Sequence, residues 1–221
     1  MRWQFIVVVK RMAKKASQEP VPEVVVMRLP LYLRALNLLE ARVDIISSQD
    51  LGDALQLTPA QIRKDLSYFG KFGKQGRGYS VRTLVQELKR ILGLDQEWKM
   101  VLVGVGRLGR AILDYARFTR SGFITVAAFD ADSGMAGKKV AGVPVLHVSD
   151  LPSVVAREGI SIGIVSVPPS HAQQVIDDLV HSGVKAILNY APVAAKVPPG
   201  VNLRDIDPVL AAQSMTFYLS N

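Results

Sequence analysis

The run Val101-Leu102-Val103-Gly104-Val105-Gly106-Arg107-Leu108-Gly109-Arg110 constrains this chain more than any other stretch. Gly104, Gly106 and Gly109 form G-x-G-x-x-G, a spacing that is weak evidence alone. Here it follows an apolar run, Met100 to Val103, and precedes Leu108, Ile112, Tyr115 and Ala116, which keep helical spacing. Strand, glycine turn and helix in that order open a dinucleotide-binding unit. The first glycine permits the sharp turn, the second lets backbone approach a pyrophosphate, and the third lets the helix pack closely on the strand. Free N–H groups and the partial positive charge of the helix start favour phosphate oxygens. Val105, Arg107 and Leu108 are taken with the glycines as cofactor-binding residues.

Asp130 ends the next apolar run, Phe123 to Phe129, at the distance of about 20 residues where a ribose-binding acid belongs. Its carboxylate would accept hydrogen bonds from ribose hydroxyls and repel a 2′-phosphate. Residues 131–137 hold no Lys or Arg to offset that charge, so NADH and NAD⁺ are expected over their phosphorylated counterparts. Further strands are expected at Lys99–Val103, Val143–His147, Ile160–Val167, Val184–Leu188 and Val201–Leu203. Helices are expected over Arg107–Phe118, Leu151–Arg157 and from a capping box, Ser170 to Gln173, as far as His181. Apolar strands alternating with helices predict an α/β, Rossmann-like, doubly wound parallel sheet. Ligands bind beyond the carboxyl ends of such strands. That rule places Val167-Pro168 and Asn189-Tyr190-Ala191-Pro192 beside the glycine loop, as candidates for the nicotinamide half.

The preceding residues have a different character. An amphipathic helix over Leu31–Glu40 is expected to bury Leu33, Leu36 and Leu39, and a short helix capped by Ser47 or Ser48 to bury Leu51, Ala54 and Leu55. Thr58-Pro59-Ala60-Gln61 then supplies an N-cap, a proline at the first helical position and the Gln of a capping box. Ile62, Leu66 and Phe69 form a buried stripe, so Lys64, Ser67 and Ala60 face outward, flanked by Gln61, Arg63 and Tyr68. This is a helix-turn-helix whose last helix would enter a major groove. Gly70 to Tyr79 carries four glycines among Lys71, Lys74 and Arg77 and has the makeup of a hairpin wing with basic groups set for phosphates or a minor groove. A closing helix through Leu84, Leu88, Ile91 and Leu92 completes a winged-helix domain. Residues 61–82 hold six basic residues and the single acid Asp65, which favours a polyanionic partner over a merely solvated face. The DNA-binding candidates are Gln61, Arg63, Lys64, Ser67, Tyr68, Lys71, Lys74, Arg77 and Gly78.

Charge follows the same division. Residues 1–98 hold 16 Lys/Arg against 10 Asp/Glu, whereas residues 99–221 hold 11 against 9. The chain has no cysteine, which excludes disulfides, thiolate metal sites and thiol redox sensing; no metal is expected. No apolar run approaches the length of a membrane span. Catalysis is not expected. His147 and His181 sit late in a strand and a helix, and His171, the one histidine near the expected nicotinamide, has no orienting carboxylate nearby in sequence. Two readings compete with a nucleotide sensor joined to a DNA reader: a small NAD-dependent oxidoreductase, or a CoA-binding module, with a basic appendage. The expected organisation is a basic extension over 1–22, a winged helix over 23–94, a nucleotide domain over 95–206 and a carboxyl-terminal helix over 207–221. Asp207-Pro208 starts that last helix, and Pro208 to Asn221 contains no charge. A helix apolar on most sides must be buried, and a partner subunit would bury it.

With these pieces in place the chain resembles the Rex family of redox-sensing transcriptional repressors, from about Val24 to Leu219. The resemblance rests on Gln61-Ile-Arg-Lys-Asp-Leu-Ser-Tyr-Phe-Gly70, Gly76-Arg-Gly-Tyr79, Val103-Gly-Val-Gly-Arg-Leu-Gly109, Phe129-Asp-Ala-Asp132 and Ile187-Leu-Asn-Tyr-Ala-Pro-Val193. The protein is read as cytoplasmic, and the resemblance implies a homodimer with a domain-swapped carboxyl-terminal helix, bound to palindromic, A·T-containing double-stranded operators. It further implies release from DNA by NADH, with NAD⁺ competing for the same site without causing release. An Arg–Asp–Tyr set that connects the domains in the family falls on Arg34, Asp207 and Tyr115, although Asp205 lies close and Pro208 departs from the family's usual aromatic residue.

Overall fold

The protein is described from a computed structural model over residues 20–74 and 77–219, with Lys74 by its backbone alone. Residues 1–19 of the expected basic extension, the wing residues Gln75 and Gly76, the Lys74 side chain and the last two residues lie outside the described residues. The chain divides into two compact units, Met1–Asp95 and Gln96–Asn221.

The first unit is a winged helix. Helix α1 spans Glu23–Leu39 and buries Val25, Leu29, Tyr32, Leu33 and Leu36. It begins well before the expected Leu31, because Pro30 is accommodated inside it; proline removes one N–H without ending this helix. After β1 (Ile45–Ile46), Ser47 and Asp50 form a reciprocal capping box at the start of α2 (Ser48–Leu55). Leu51 is buried but Ala54 is exposed, contrary to expectation. The inward position is taken instead by Gly52, where a Cβ would lie 2.5 Å from the Leu57 carbonyl oxygen. That close approach makes the helix-turn-helix corner, closed by the Leu57 N–H donating to Gly52 O. Helix α3 (Pro59–Ser67) starts with the Thr58 hydroxyl accepting from Gln61 N. The expected capping box is only half made, since the Gln61 amide bonds Asp65 instead. Strands β2 (Gly73–Lys74) and β3 (Gly78–Ser80) form the antiparallel wing, and β3 also pairs with β1. Helix α4 (Val81–Ile91), capped by Ser80, closes the core with Val81, Leu84, Val85 and Leu88.

The second unit is a doubly wound sheet. Its elements run β4 (Trp98–Val103), α5 (Arg107–Asp114), α6 (Arg117–Arg120), β5 (Phe123–Asp130), β6 (Lys139–Val140), β7 (Val143–His147), α7 (Leu151–Glu158), β8 (Ile162–Val165), α8 (Pro169–His181), β9 (Ala186–Asn189), β10 (Asn202–Asp205) and α9 (Pro208–Leu219). The strand order is β10-β9-β8-β4-β5-β7-β6, parallel except for β6 at the edge. Sequential strands therefore proceed outward in one direction from β4 through β5 and β7, then in the other through β8, β9 and β10. The order reverses between β4 and β8, which is the position where open α/β sheets bind ligands. Both faces are covered. Val101, Val103 and Phe129 pack with Leu151, Ile176 and Leu179 on one side, and Met100, Leu102 and Ala128 pack with Ile112 and Leu113 on the other.

Two expected helices differ. The helix from Arg107 breaks at Tyr115, whose ψ of 84° is not helical, and Leu108 and Tyr115 are 47% and 53% exposed. The inward face of α5 is Gly109, Ile112 and Leu113. Helix α8 has no side-chain cap. Gln173 bonds Asp177 and the Lys196 backbone rather than reaching back toward Ser170.

Candidate functional site

Two places gather the candidate residues, one in each unit. The glycine loop sits at the reversal between β4 and β8, and its three glycines are required for three different reasons. Gly104 has φ +99°, and a Cβ there would lie 2.5 Å from Ser166 O. At Gly109 a Cβ would fall 2.0 Å from Gly104 O, so α5 can approach β4 only through glycine. Gly106 is different: it is the N-cap of α5, and a Cβ would meet nothing within 4 Å. The protein itself does not need a glycine there. The unfilled space lies at a helix N-terminus with free N–H groups, which suits a pyrophosphate.

Asp130 leaves the end of β5 and faces this loop. Its Oδ2 accepts from Val105 N at 2.8 Å and its Oδ1 from Asp132 N at 2.9 Å. A carboxylate offers about four acceptor positions, so each oxygen keeps one for a ribose hydroxyl. A cleft of about 390 Å³ runs from these residues across the switch point, with Val148, Val167, Pro168 and Val175 as apolar wall and His171, Gln174 and Asp178 as polar wall. Ser166 joins the two strand ends, its hydroxyl donating to Gly104 O at 2.8 Å. Ser166, Val148, Gln174 and Asp178 were not foreseen from sequence. They lie on segments whose local pattern marks only strand ends and helix, and the fold alone brings them to the cleft. Arg107 and Leu108 are exposed on the first turn of α5.

The Asn189–Pro192 segment does not line this cleft. Asn189 is fully buried and holds the chain after β9: its amide donates to Ala191 O and Asp205 Oδ1, and its oxygen accepts from Ala191 N. Tyr190 packs into the second sheet face, where burial raises its phenol above the usual tyrosine range and nearby Tyr115 adds to the shift.

In the first unit, a groove of about 600 Å³ separates α3 from the wing, bordered by Ser48, Arg63, Ser67, Lys71 and Gly73. Arg63, Lys64, Ser67, Lys71 and Arg77 are exposed. Arg63 donates to Ser48 Oγ at 2.8 Å, and the Ser67 hydroxyl donates to Lys64 O. Tyr68 is half-buried at the end of α3. Gly78 has a structural reason of its own, since a Cβ would lie 2.5 Å from Ile46 O where β1 meets the wing. The one acid of this region, Asp65, does not face the groove. It is fully buried and accepts from Arg28, Tyr32 and Gln61. Burial pushes its carboxyl up, but those three donors outweigh burial and hold it below the usual 3.8. The outward face of α3 is thus left with basic and neutral groups alone.

The three connecting candidates are distributed between the units. Arg34 is exposed on α1. In the second unit Tyr115 stacks edge-on against Phe118, and Asp207 Oδ1 accepts from Val209 N at the start of α9.

Comparison with known proteins agrees with this architecture. Residues 20–67 match the family described as "Putative DNA-binding protein N-terminus", and residues 95–193 match the family described as "CoA binding domain". The chain is 49% identical over 205 residues to the redox-sensing transcriptional repressor Rex of Chloroflexus aggregans, covering 92% of this chain and 96% of that protein. Against the Rex of Streptomyces coelicolor identity is 47%, covering 90% and 77%. A crystal structure of RSP in complex with β-NAD⁺ and operator DNA is similar at TM-score 0.86 and 39% identity, covering 91% of this chain and 93% of that one. RSP in complex with β-NADH gives TM-score 0.82 at 37% identity, covering 91% and 95%.

Proposed function

The chain belongs to the Rex family of redox-sensing transcriptional repressors, and on that premise we propose that it is a DNA-binding repressor whose nucleotide cleft senses NADH against NAD⁺. It is a regulator and not an enzyme. NADH in the cleft releases the protein from its operator. The unfilled space over Gly106, beside the acceptor positions of Asp130, is the observation that carries the cofactor assignment.

Gly104, Val105, Gly106 and Gly109 are assigned to the pyrophosphate, with Arg107 and Leu108 on the same turn, Asp130 to the ribose, and Val167 and Pro168 to the nicotinamide. The cofactor supplies no bond-making step here, only a ring that is cationic when oxidised and neutral when reduced. Apolar walls at Val148, Val167 and Pro168 suit the neutral, reduced ring in a closed cleft. On the DNA side, Arg63 and Lys64 are assigned to base edges, Lys71, Lys74 and Arg77 to phosphates, Ser67, Tyr68 and Gly78 to the surrounding contact surface, and Gln61 to the contact surface at the end of α3 that enters the groove first.

Helix α9 supports a homodimer. None of its residues is buried, and Leu210, Met215, Phe217, Tyr218 and Leu219 are 61% to 85% exposed. Insertion of this helix into a second copy would cover that surface and supply the two-fold symmetry a palindromic, A·T-containing operator needs. We assign Arg34, Tyr115 and Asp207 to the coupling between units; Asp205 is the weaker choice, since it holds the buried Asn189 amide. Among the described residues no helix is long and apolar enough to cross a membrane; membership of a family of transcriptional repressors supports a cytoplasmic location.

Fluorescence anisotropy of a labelled duplex, selected by this protein from a random pool, tests the function. NADH should release the duplex, NAD⁺ should leave it bound while competing with NADH, and NADPH should act only at far higher concentration. Equal release by NADPH would remove the assignment of Asp130.

A further inference from the structure

We propose that Asp65 is a positioning residue for base recognition: it fixes the edge that the Gln61 amide presents and thereby directs that side chain to adenine. The inference rests on the assignment of α3 as the DNA reader. Asp65 is fully buried, and all four acceptor positions of its carboxylate are engaged. Arg28 donates Nε to Oδ2 at 2.6 Å and Nη2 to Oδ1 at 2.9 Å, the Tyr32 hydroxyl donates to Oδ2 at 2.5 Å, and Gln61 Nε2 donates to Oδ1 at 2.6 Å. Arg28 and Tyr32, both from α1, would suffice to anchor α3. The fourth bond comes from a side chain in the first turn of α3, the end that enters a major groove first.

A free Gln side chain can turn either edge of its amide outward. An ionised carboxylate only accepts, so Asp65 admits the Nε2 edge and excludes Oε1. One Nε2 hydrogen is consumed. With the hydrogen trans to Oε1 spent on Asp65, the remaining hydrogen and Oε1 lie side by side, a donor next to an acceptor, and this pair is complementary to N7 and N6–H₂ of adenine in the major groove. Arg63 and Lys64 offer donors only and match guanine. The same helix therefore carries two kinds of reader, and Asp65 keeps them distinct.

Asp65→Asn tests the assignment. Asn has one acceptor oxygen where four donors meet, so it no longer forces the Nε2 edge of Gln61 inward. The Gln61 amide can then turn either edge outward, including two donors, the pattern suited to guanine N7 and O6. The full-length protein is titrated against single-base-pair variants of its selected duplex at fixed salt. At one base pair in each half-site, preference for A·T over G·C should fall about tenfold in Asp65→Asn. Preferences lost in Arg63→Ala and Lys64→Ala should be unaffected, and Gln61→Ala should match the Gln61→Ala/Asp65→Asn double variant at that pair. Should Asp65→Asn fail to fold, 7-deazaadenine is placed in the duplex: it should weaken the native protein about tenfold at one adenine per half-site and leave Gln61→Ala unaffected. Equal loss at every base pair in Asp65→Asn, or indifference of the native protein to 7-deazaadenine at every position, would overturn the proposal. If Arg63→Ala and Lys64→Ala also leave base preference intact, the assignment of α3 itself fails, which is a separate and distinguishable result.

Discussion

The two units hold their functional residues by different means. In the second, the loop is defined by backbone: Gly104 and Gly109 allow approaches of 2.5 and 2.0 Å that any Cβ would block, and Gly106 opens a space. The helix assigned to DNA is held instead by side chains, through a buried carboxylate linked to Arg28, 37 residues earlier in the chain. A backbone-built site writes itself into consecutive residues, because only glycine satisfies it. The polar network leaves no local pattern, since its members need only the right chemistry once folding has brought them together.

The largest effect should come from cutting that network. Asp65→Ala leaves the Arg28 guanidinium, only 18% exposed, without its partner, and breaking such a pair costs about 3–5 kcal/mol. Hydrogen exchange should show faster opening of α3 and α4 with β4 and β8 unchanged. Comparable protection in both units would deny that the network is what holds the first one. Next come the glycines. Gly109→Ala should cost the second unit about 3 kcal/mol through overpacking against backbone. Gly106→Val should change stability by less than about 1 kcal/mol, the scale of an exposed cap substitution, yet abolish NADH binding while DNA binding survives. If Gly106→Val kept its affinity for NADH, the space over that residue would have no ligand. The smallest effect near neutral pH is titration. Because the folded Asp65 carboxyl lies below its ordinary 3.8, its contribution is complete above that value and is lost as pH falls through the depressed value. The first unit should therefore lose protection below about pH 4 even in 1 M salt, and Asp65→Asn should reduce that dependence, leaving the part carried by Asp50, whose carboxyl is held low by its bonds with Ser47.

Legibility in the sequence follows the same division. G-x-G-x-x-G, the spacing to Asp130 and the apolar alternation conveyed the doubly wound sheet, because each reports a backbone requirement or a buried strand. Thr58-Pro59 and the basic glycine-rich wing conveyed the winged helix. Reasoning from neighbours failed where tertiary contacts replaced local ones. Gln61 and Gln173 both stood at capping-box positions, and both amides bond elsewhere. The helix expected from Leu31 begins at Glu23, with Pro30 inside it. Tyr115 keeps helical spacing from Leu108, yet the helix breaks there. Asn189 lies at a strand end where ligands are expected, and its amide is occupied within the fold. Asp65 had the appearance of one acid among solvated bases.

Coupling between the two units is reciprocal by thermodynamic necessity: if NADH weakens DNA binding by some factor, DNA must weaken NADH binding by the same factor. Titration calorimetry of NADH into the full-length protein, alone and saturated with its selected duplex, measures that factor directly. NADH should bind the DNA complex more weakly, by the ratio found when the duplex is titrated with and without NADH. An NADH affinity indifferent to bound DNA would contradict that coupling.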